Sequence, residues 1–288
     1  GPVIVSQKES AAQEFVSDSD SVMDLFFASA GGVWNSSYAA QHCGILDLWE
    51  GTQESVSLWG KNILADTFEG CSSDMNILVL TDDSNGDALF VDDIYTALPG
   101  TVTEQQSRIA RINEIRAGAG DDIVDMTSQR FAYAGDGVKI YGGSGDDIIW
   151  ANNGENKLFG DAGNDRLVGG TDNDVIMCGN GNDSMHGGGG EDLFCFGAGW
   201  GADRVEQLSG GSVTLWFAEG EEAQWDGATL TYTDGSNSVT VSGISADAVT
   251  LKFGDDDSLL YDELVSAGCF GESVSAKIFE DKNTGMLA

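Results

Sequence analysis

From Gly142 to Cys195 the chain repeats every nine residues, and a Gly-rich turn closed by a polar residue falls at the same phase each time. The blocks read GGSGDDIIW (142–150), ANNGENKLF (151–159), GDAGNDRLV (160–168), GGTDNDVIM (169–177), CGNGNDSMH (178–186) and GGGGEDLFC (187–195). The sixth position holds Asp147, Asn156, Asp165, Asp174, Asp183 and Asp192. The eighth holds Ile149, Leu158, Leu167, Ile176, Met185 and Phe194. A nine-residue unit cannot bury its own apolar side chain, so neighbouring units must stack to share a core. A flexible Gly/Asn linker does not keep an apolar position in phase.

Elementary chemistry assigns the parts of each block. Glycines let the backbone take φ > 0, so a six-residue turn can aim several carbonyls at one point. The Asp that ends the turn adds a hard anionic oxygen, and Ca²⁺ takes six to eight oxygen ligands. The x-U-x segment that follows is a short strand whose middle side chain points inward. An earlier block, AGAGDDIVD (117–125), fits the same template. The candidate calcium ligands are therefore Asp122, Asp147, Asn156, Asp165, Asp174, Asp183 and Asp192. The turn positions Gly118, Gly120, Gly143, Gly145, Asp161, Gly163, Gly170, Asp172, Gly179, Gly181, Gly188 and Gly190 complete the set, which predicts several bound ions.

The pattern resembles the G-G-x-G-x-D-x-U-x repeat of the RTX, or hemolysin-type, calcium-binding proteins. The resemblance implies a right-handed parallel β-roll in which two nonapeptides make one coil and each ion lies between turns eighteen residues apart. Stacking by eighteen puts Asp147, Asp165 and Asp183 on one edge and Asn156, Asp174 and Asp192 on the other. Asp122 falls beneath Asp147 if seven extra residues, Met126 to Ala132, bulge outward. The divergent block YAGDGVKIY (133–141) has Val138 in the carboxylate slot, so the pocket it shares with Asn156 is expected to be weak or empty. The expected fold class is all-β dominated: a solenoid with strand-rich caps and a few short helices.

Five segments are expected. Residues 1–53 form an N-terminal helix and irregular segment, with SDSDSVMDLFFASAGG (17–32) as the helix. Residues 54–116 form a β-rich cap, small domain or set of irregular coils, in which TVTEQQSRIARINEIR (101–116) carries isoleucines at threes and reads as a helix ending in a strand. Its turn TDDSNGD matches an EF-hand loop poorly, because Thr81 replaces the first Asp, and reads as a hairpin turn. Residues 117–195 are the roll. Residues 196–254 are a strand-rich cap: a degenerate block with Gly201 in the ligand slot, Trp200 over the core end, and an Asp234-Gly235 hairpin. Residues 255–288 are a C-terminal helix or tail, or a secretion signal.

Charge and motifs limit the function. The chain has 48 acidic and 13 basic residues, a net charge of −35, and such self-repulsion opposes compaction until cations neutralise it. Nucleic-acid binding is disfavoured for want of Lys/Arg patches. No stretch approaches a membrane span. There is no H-E-x-x-H, no G-x-S-x-G and no Walker loop, so no catalytic residues are assigned and the chain is read as a non-enzyme. The acidic pairs Asp121–Asp122 and Asp146–Asp147 read as calcium-turn residues. His186 is expected at an outward position. Cys178 and Cys195 lie close enough in the coil for a bridge, although buried thiols are the default.

The opening Gly1-Pro2 resembles a cleavage scar, and the chain is expected to be a fragment of something larger. With the resemblance, these features imply an extracellular or bacterial cell-surface module that folds on calcium. It would be the structural and secretion region of a larger adhesin-like protein, exported by type I secretion machinery. A glycan- or peptide-binding module, with residues 1–110 contacting a cell-surface glycan or protein ligand and Trp34, Trp49, Trp59 or Trp225 stacking on a sugar, is the alternative. A hydrolase is a weaker one.

Overall fold

The computed structural model describes residues 3–6, 12–14, 34–35, 55–56, 62–64, 68–70, 76–81, 84–91, 109–126, 137–197, 199–207, 211–218, 224–226, 229–234, 237–254, 260, 280–281 and 286–287. Each half-coil contributes one short strand, and a Gly-rich turn throws the chain across to the opposite sheet. Gly143, Gly145, Gly179 and Gly181 sit at φ between +102° and +153°, which L side chains rarely adopt.

One sheet stacks Asn76–Val79, Glu114–Ala119, Lys139–Ser144, Lys157–Ala162, Val175–Asn180, Glu191–Phe196, Ser212–Phe217 and Val249–Phe253, all in parallel. The other stacks Asn62–Leu64, Asp87–Phe90, Ile123–Asp125, Ile148–Trp150, Arg166–Gly170, Ser184–Gly188, Ala202–Glu206 and Asn237–Ser242 in the same way. The result is the expected parallel β-solenoid, with about four repeat turns.

The register shows why the period is eighteen. Ile140, Leu158, Ile176 and Phe194 pair in succession, as do Ile149, Leu167 and Met185. Every one of these side chains is at most 1% exposed, so the eighth position of each block forms one continuous core. Full burial of each contributes roughly 1.5–3 kcal/mol. Below the repeats the step lengthens: Ile115 pairs Ile140 and Val124 pairs Ile149. Both sheets stay in register across this longer step, and residues 127–132 of the segment expected to bulge outward lie outside the described residues.

The N-terminal flank continues the roll. Leu78 pairs Ile115 and Leu89 pairs Val124, so the segment before residue 109 supplies further coils in the same two sheets. The turn between Asn76–Val79 and Asp87–Phe90 crosses from one sheet to the other and is therefore a solenoid turn, not a hairpin. Ile109, Ile112 and Ile115 are all buried, but in strand and turn rather than helix. Threefold spacing here follows a coil that bends between two short strands. The helix expected over 17–32 and most of 255–288 lie outside the described residues. Among those described, helix is limited to a short 3₁₀ turn, Ala246–Ala248, and Leu260. No helix among them is long and apolar enough to cross a membrane.

Above the repeats the two sheets continue into the strands Ser212–Phe217, Asn237–Ser242 and Val249–Phe253. Thr229–Asp234 and Asn237–Ser242 pair antiparallel, with Asp234 opposite Asn237. Trp200 is buried and tilts against Phe196 and Phe217, with centroids 4.9 and 5.7 Å away. On the outer face of the first sheet, Phe159, Met177, Cys195 and Trp216 form a second apolar cluster. Lys252 Nζ lies 3.5 Å from the Trp216 ring centroid.

Candidate calcium centre

The sixth-position residues meet edge on, as stacking by eighteen requires. Asp147 N–H donates to Asp165 Oδ1 at 2.8 Å, and Asp165 N–H donates to Asp183 Oδ1 at 2.7 Å. Asp122 N–H donates to Asp147 Oδ1 at 2.7 Å, which places Asp122 beneath Asp147. On the opposite edge Val138 N–H donates to Asn156 Oδ1, Asn156 N–H to Asp174 Oδ1 and Asp174 N–H to Asp192 Oδ1, at 2.9, 2.8 and 3.0 Å. Each carboxylate therefore locks the coil below it with one oxygen.

The remaining oxygens carry the chemistry. Oδ2 of Asp147, Asp165 and Asp183 is buried and accepts no hydrogen bond. Burial first, then the neighbouring Asp122 and Asp165 carboxylates, pushes Asp147 up to about 9 against the opposing Asp122 N–H bond. Burial likewise pushes Asp165 and Asp174 up to about 7, and Asp183 and Asp192 to about 6. A buried carboxylate whose oxygen meets no donor must either hold a proton or meet a cation.

The cradle around these oxygens has no room for side chains. A β-carbon on Gly142, Gly160, Gly169 or Gly187 would run into Oδ2 of the Asp five residues on. Gly143, Gly145, Gly163, Gly179, Gly181, Gly188 and Gly190 each approach a backbone carbonyl of the turn below too closely for a β-carbon. Gly118 and Gly120 share the positive φ of these turns, and Gly170 packs on the Asn152 carbonyl. Oxygen-rich, anionic and steric in this way, the turns fit a hard divalent cation. Asp161 holds a glycine position, between Gly143 and Gly179 in register, at φ +70°. Burial raises its carboxyl above the usual range. Asp172 is exposed on its turn.

Several members of the array were not foreseen. Asp203, not Gly201, occupies the ligand slot above Asp183, since Asp183 N–H donates to its Oδ1 at 2.9 Å while Gly201 bridges Gly181. The step there is twenty residues, Met185 pairing Val205, so a strict eighteen counts two residues short. Burial pushes Asp203 up to about 8. At the other end Asp87 N–H donates to Asp122 Oδ1 at 2.6 Å. The signal was present, because Asp87-Ala88-Leu89 repeats the D-x-U triplet.

A second ladder runs along the exposed fifth positions. Asp146 N–H donates to Asp121 Oδ1 at 2.9 Å, Asn164 N–H to Asp146 Oδ1 at 2.7 Å and Asn182 N–H to Asn164 Oδ1 at 3.1 Å. The constant Asp, Glu or Asn at that position in all six blocks announces it. His186 follows the inward Met185 and keeps the outward position expected of it, yet it is buried: it is 1% exposed, neither ring nitrogen has a hydrogen-bond partner, and burial lowers it to about 4. Cys178 and Cys195 form no disulfide; Cys195 faces the outer cluster, and Cys178 Sγ donates to Asp203 Oδ2 at 3.1 Å.

A match to one protein family agrees with this geometry. Residues 133–167, 141–176, 159–194 and 168–205 match the RTX calcium-binding nonapeptide repeat, in four overlapping copies. No curated protein matches the chain. Among solved structures, the extracellular lipase LipA from Serratia marcescens is similar at 16% identity and a TM-score of 0.31, over 67% of this chain and 38% of that one. Residues 133–205 are thus an RTX calcium-binding β-roll that takes several Ca²⁺ ions.

Proposed function

We propose that the chain is the calcium-dependent structural and secretion region of a larger adhesin-like bacterial protein, exported by type I machinery and working outside the cell or on its surface. One observation carries this reading: the stack of buried Oδ2 atoms on Asp147, Asp165 and Asp183 that accept no hydrogen bond. Without cations those carboxylates resist burial, and a net charge of −35 adds repulsion along the whole chain. With them, each ion joins two turns and converts metal binding into folding free energy. The chain then stays open where calcium is scarce and closes where calcium is abundant, which suits export before folding.

The role is non-catalytic, since the turn carboxylates serve ions and coil register. Recognition of a surface glycan or protein belongs, in this reading, to residues 1–110 or to domains beyond this chain. Circular dichroism in chelator and in calcium tests the proposal. The β signal is expected to be weak in chelator and to rise over about 10⁻⁴–10⁻³ M Ca²⁺, the range of extracellular modules. A full β signal in chelator, unchanged by calcium, overturns it.

A further inference from the structure

The two edges of the roll finish their carboxylates differently. On the first edge, Asp147, Asp165 and Asp183 leave Oδ2 buried and unbonded. On the second edge, both oxygens of both carboxylates are taken. Asp174 Oδ2 accepts the Gly170 N–H at 2.6 Å, and its Oδ1 accepts Asn156 Nδ2 at 3.0 Å besides the Asn156 N–H. Asp192 Oδ1 accepts the Asp174 N–H, and its Oδ2 accepts Gln207 Nε2 at 3.1 Å.

The donors on that edge reach more than the carboxylates. Asn156 Nδ2 also donates to the Asn152 and Gly154 carbonyls at 2.9 and 2.6 Å. Gln207 Nε2 also donates to the Gly188 carbonyl at 2.9 Å. Each amide nitrogen thus gathers turn carbonyls and a carboxylate oxygen, the oxygen types that a Ca²⁺ ion collects. A carboxamide supplies two N–H donors at a fixed position, so Asn156 shares one of them between two acceptors, with no net charge and no ion to recruit.

We propose that calcium loads the first edge, along Asp147, Asp165 and Asp183, and that the Asn156 and Gln207 carboxamides stand in for ions on the second. The open stretch of the first edge is closed in the same manner at its ends. Thr81 donates to Asp87 through its N–H and hydroxyl, and Cys178 Sγ donates to Asp203 Oδ2. The roll therefore has one edge whose carboxylate oxygens are met by backbone and side-chain N–H donors and one completed by metal. The Asn156–Asp192 edge serves as a scaffold along which calcium closes the Asp147–Asp183 edge.

This inference rests on the calcium-binding reading, and its test separates the two. Crystals grown in calcium, with anomalous scattering locating the ions, are compared for wild type, Asn156→Asp and Gln207→Glu; elemental analysis of gel-filtered protein counts ions in solution. In wild type, ions are expected beside Asp147, Asp165 and Asp183 and none beside Asp174 or Asp192. Asn156→Asp and Gln207→Glu, made separately at opposite ends of the edge, are each expected to add one ion there. Ions beside Asp174 or Asp192 in wild type overturn the inference and leave the calcium reading intact. So does an unchanged count in both variants, whereas no ion on either edge overturns both. The wild-type map decides the matter if either variant fails to fold.

Discussion

Asp165 sits one coil above Asp147 and accepts the Asp147 N–H on Oδ1 at 2.8 Å, leaving its own Oδ2 buried. One side chain thus fixes the register of two coils and offers an oxygen to a cation. Metal binding and strand stacking share atoms, so loss of one weakens the other. Hydrogen bonds to charged acceptors contribute about 1.5–3 kcal/mol each, enough for a few such rungs to matter to a marginally stable fold.

Removing calcium should make stability fall with rising pH. In the unfolded chain these carboxyls titrate near 3.8, while burial in the fold pushes Asp147 to about 9 and Asp165 to about 7. Between those values the folded state binds more protons, so stability is fully present below about 3.8 and is lost as pH rises through 7 to 9. Thermal unfolding in calcium-stripped buffer should show a midpoint that drops steadily between about pH 5 and pH 9. Saturating calcium should flatten that slope and release protons on binding. A midpoint that climbs with pH in stripped buffer contradicts the assignment.

Asp165→Asn should separate the two jobs of this side chain. The amide oxygen can still accept the Asp147 N–H, but the charge that draws an ion is gone. Calcium-dependent stabilisation should shrink by about 2–3 kcal/mol, the linkage expected from losing one well-saturated site. The calcium-free protein should become less sensitive to pH. Calorimetric titration and melts in both buffers give the comparison, and equal calcium stoichiometry in wild type and variant would count against Asp165 as a ligand.

Gly160→Ala is expected to cost more than about 2 kcal/mol, as burial clashes at special sites do. Its β-carbon would meet the Cys178 carbonyl and Asp165 Oδ2 together, so neither backbone nor ligand can yield alone. Exposed Asp172→Ala should change stability by less than about 0.5 kcal/mol. Denaturant melts in calcium measure both, and a Gly160→Ala variant as stable as wild type would mean the turns are looser than their packing.

Much of the roll was legible because two periods coincide. The ninefold Asp and the inward Ile149, Leu167 and Met185 mark the same phase, so stacking followed from counting. What counting missed lies where the coil length changes. Asp203 hides two residues beyond the expected slot, and Asp87 sits in a turn without the glycine pair. The burial of His186 was not legible because alternation gives a side chain's direction from the sheet, not whether that face is covered. Nor could the sequence show that the Asn156 amide would fold back onto the Asn152 and Gly154 carbonyls.

The cap should decide whether the last coil forms at all. Phe194 and Phe196 are fully buried, Phe196 stacks on Phe217 at 4.8 Å, and Phe194 pairs Leu215 in the next strand. Without residues 197–254 the top coil would expose this aromatic layer and a row of unpaired backbone groups. Asp183 would also lose the Asp203 carboxylate that holds its N–H. A chain truncated after Phe196 is therefore expected to stay unfolded or aggregate even in excess calcium. Within the whole chain, Phe217→Ala should cost about 3–5 kcal/mol, the usual loss for a buried aromatic. Circular dichroism and sedimentation of the truncated chain in calcium test the first expectation; a monomer with the full β signal and full ion count would show that the roll closes without its cap.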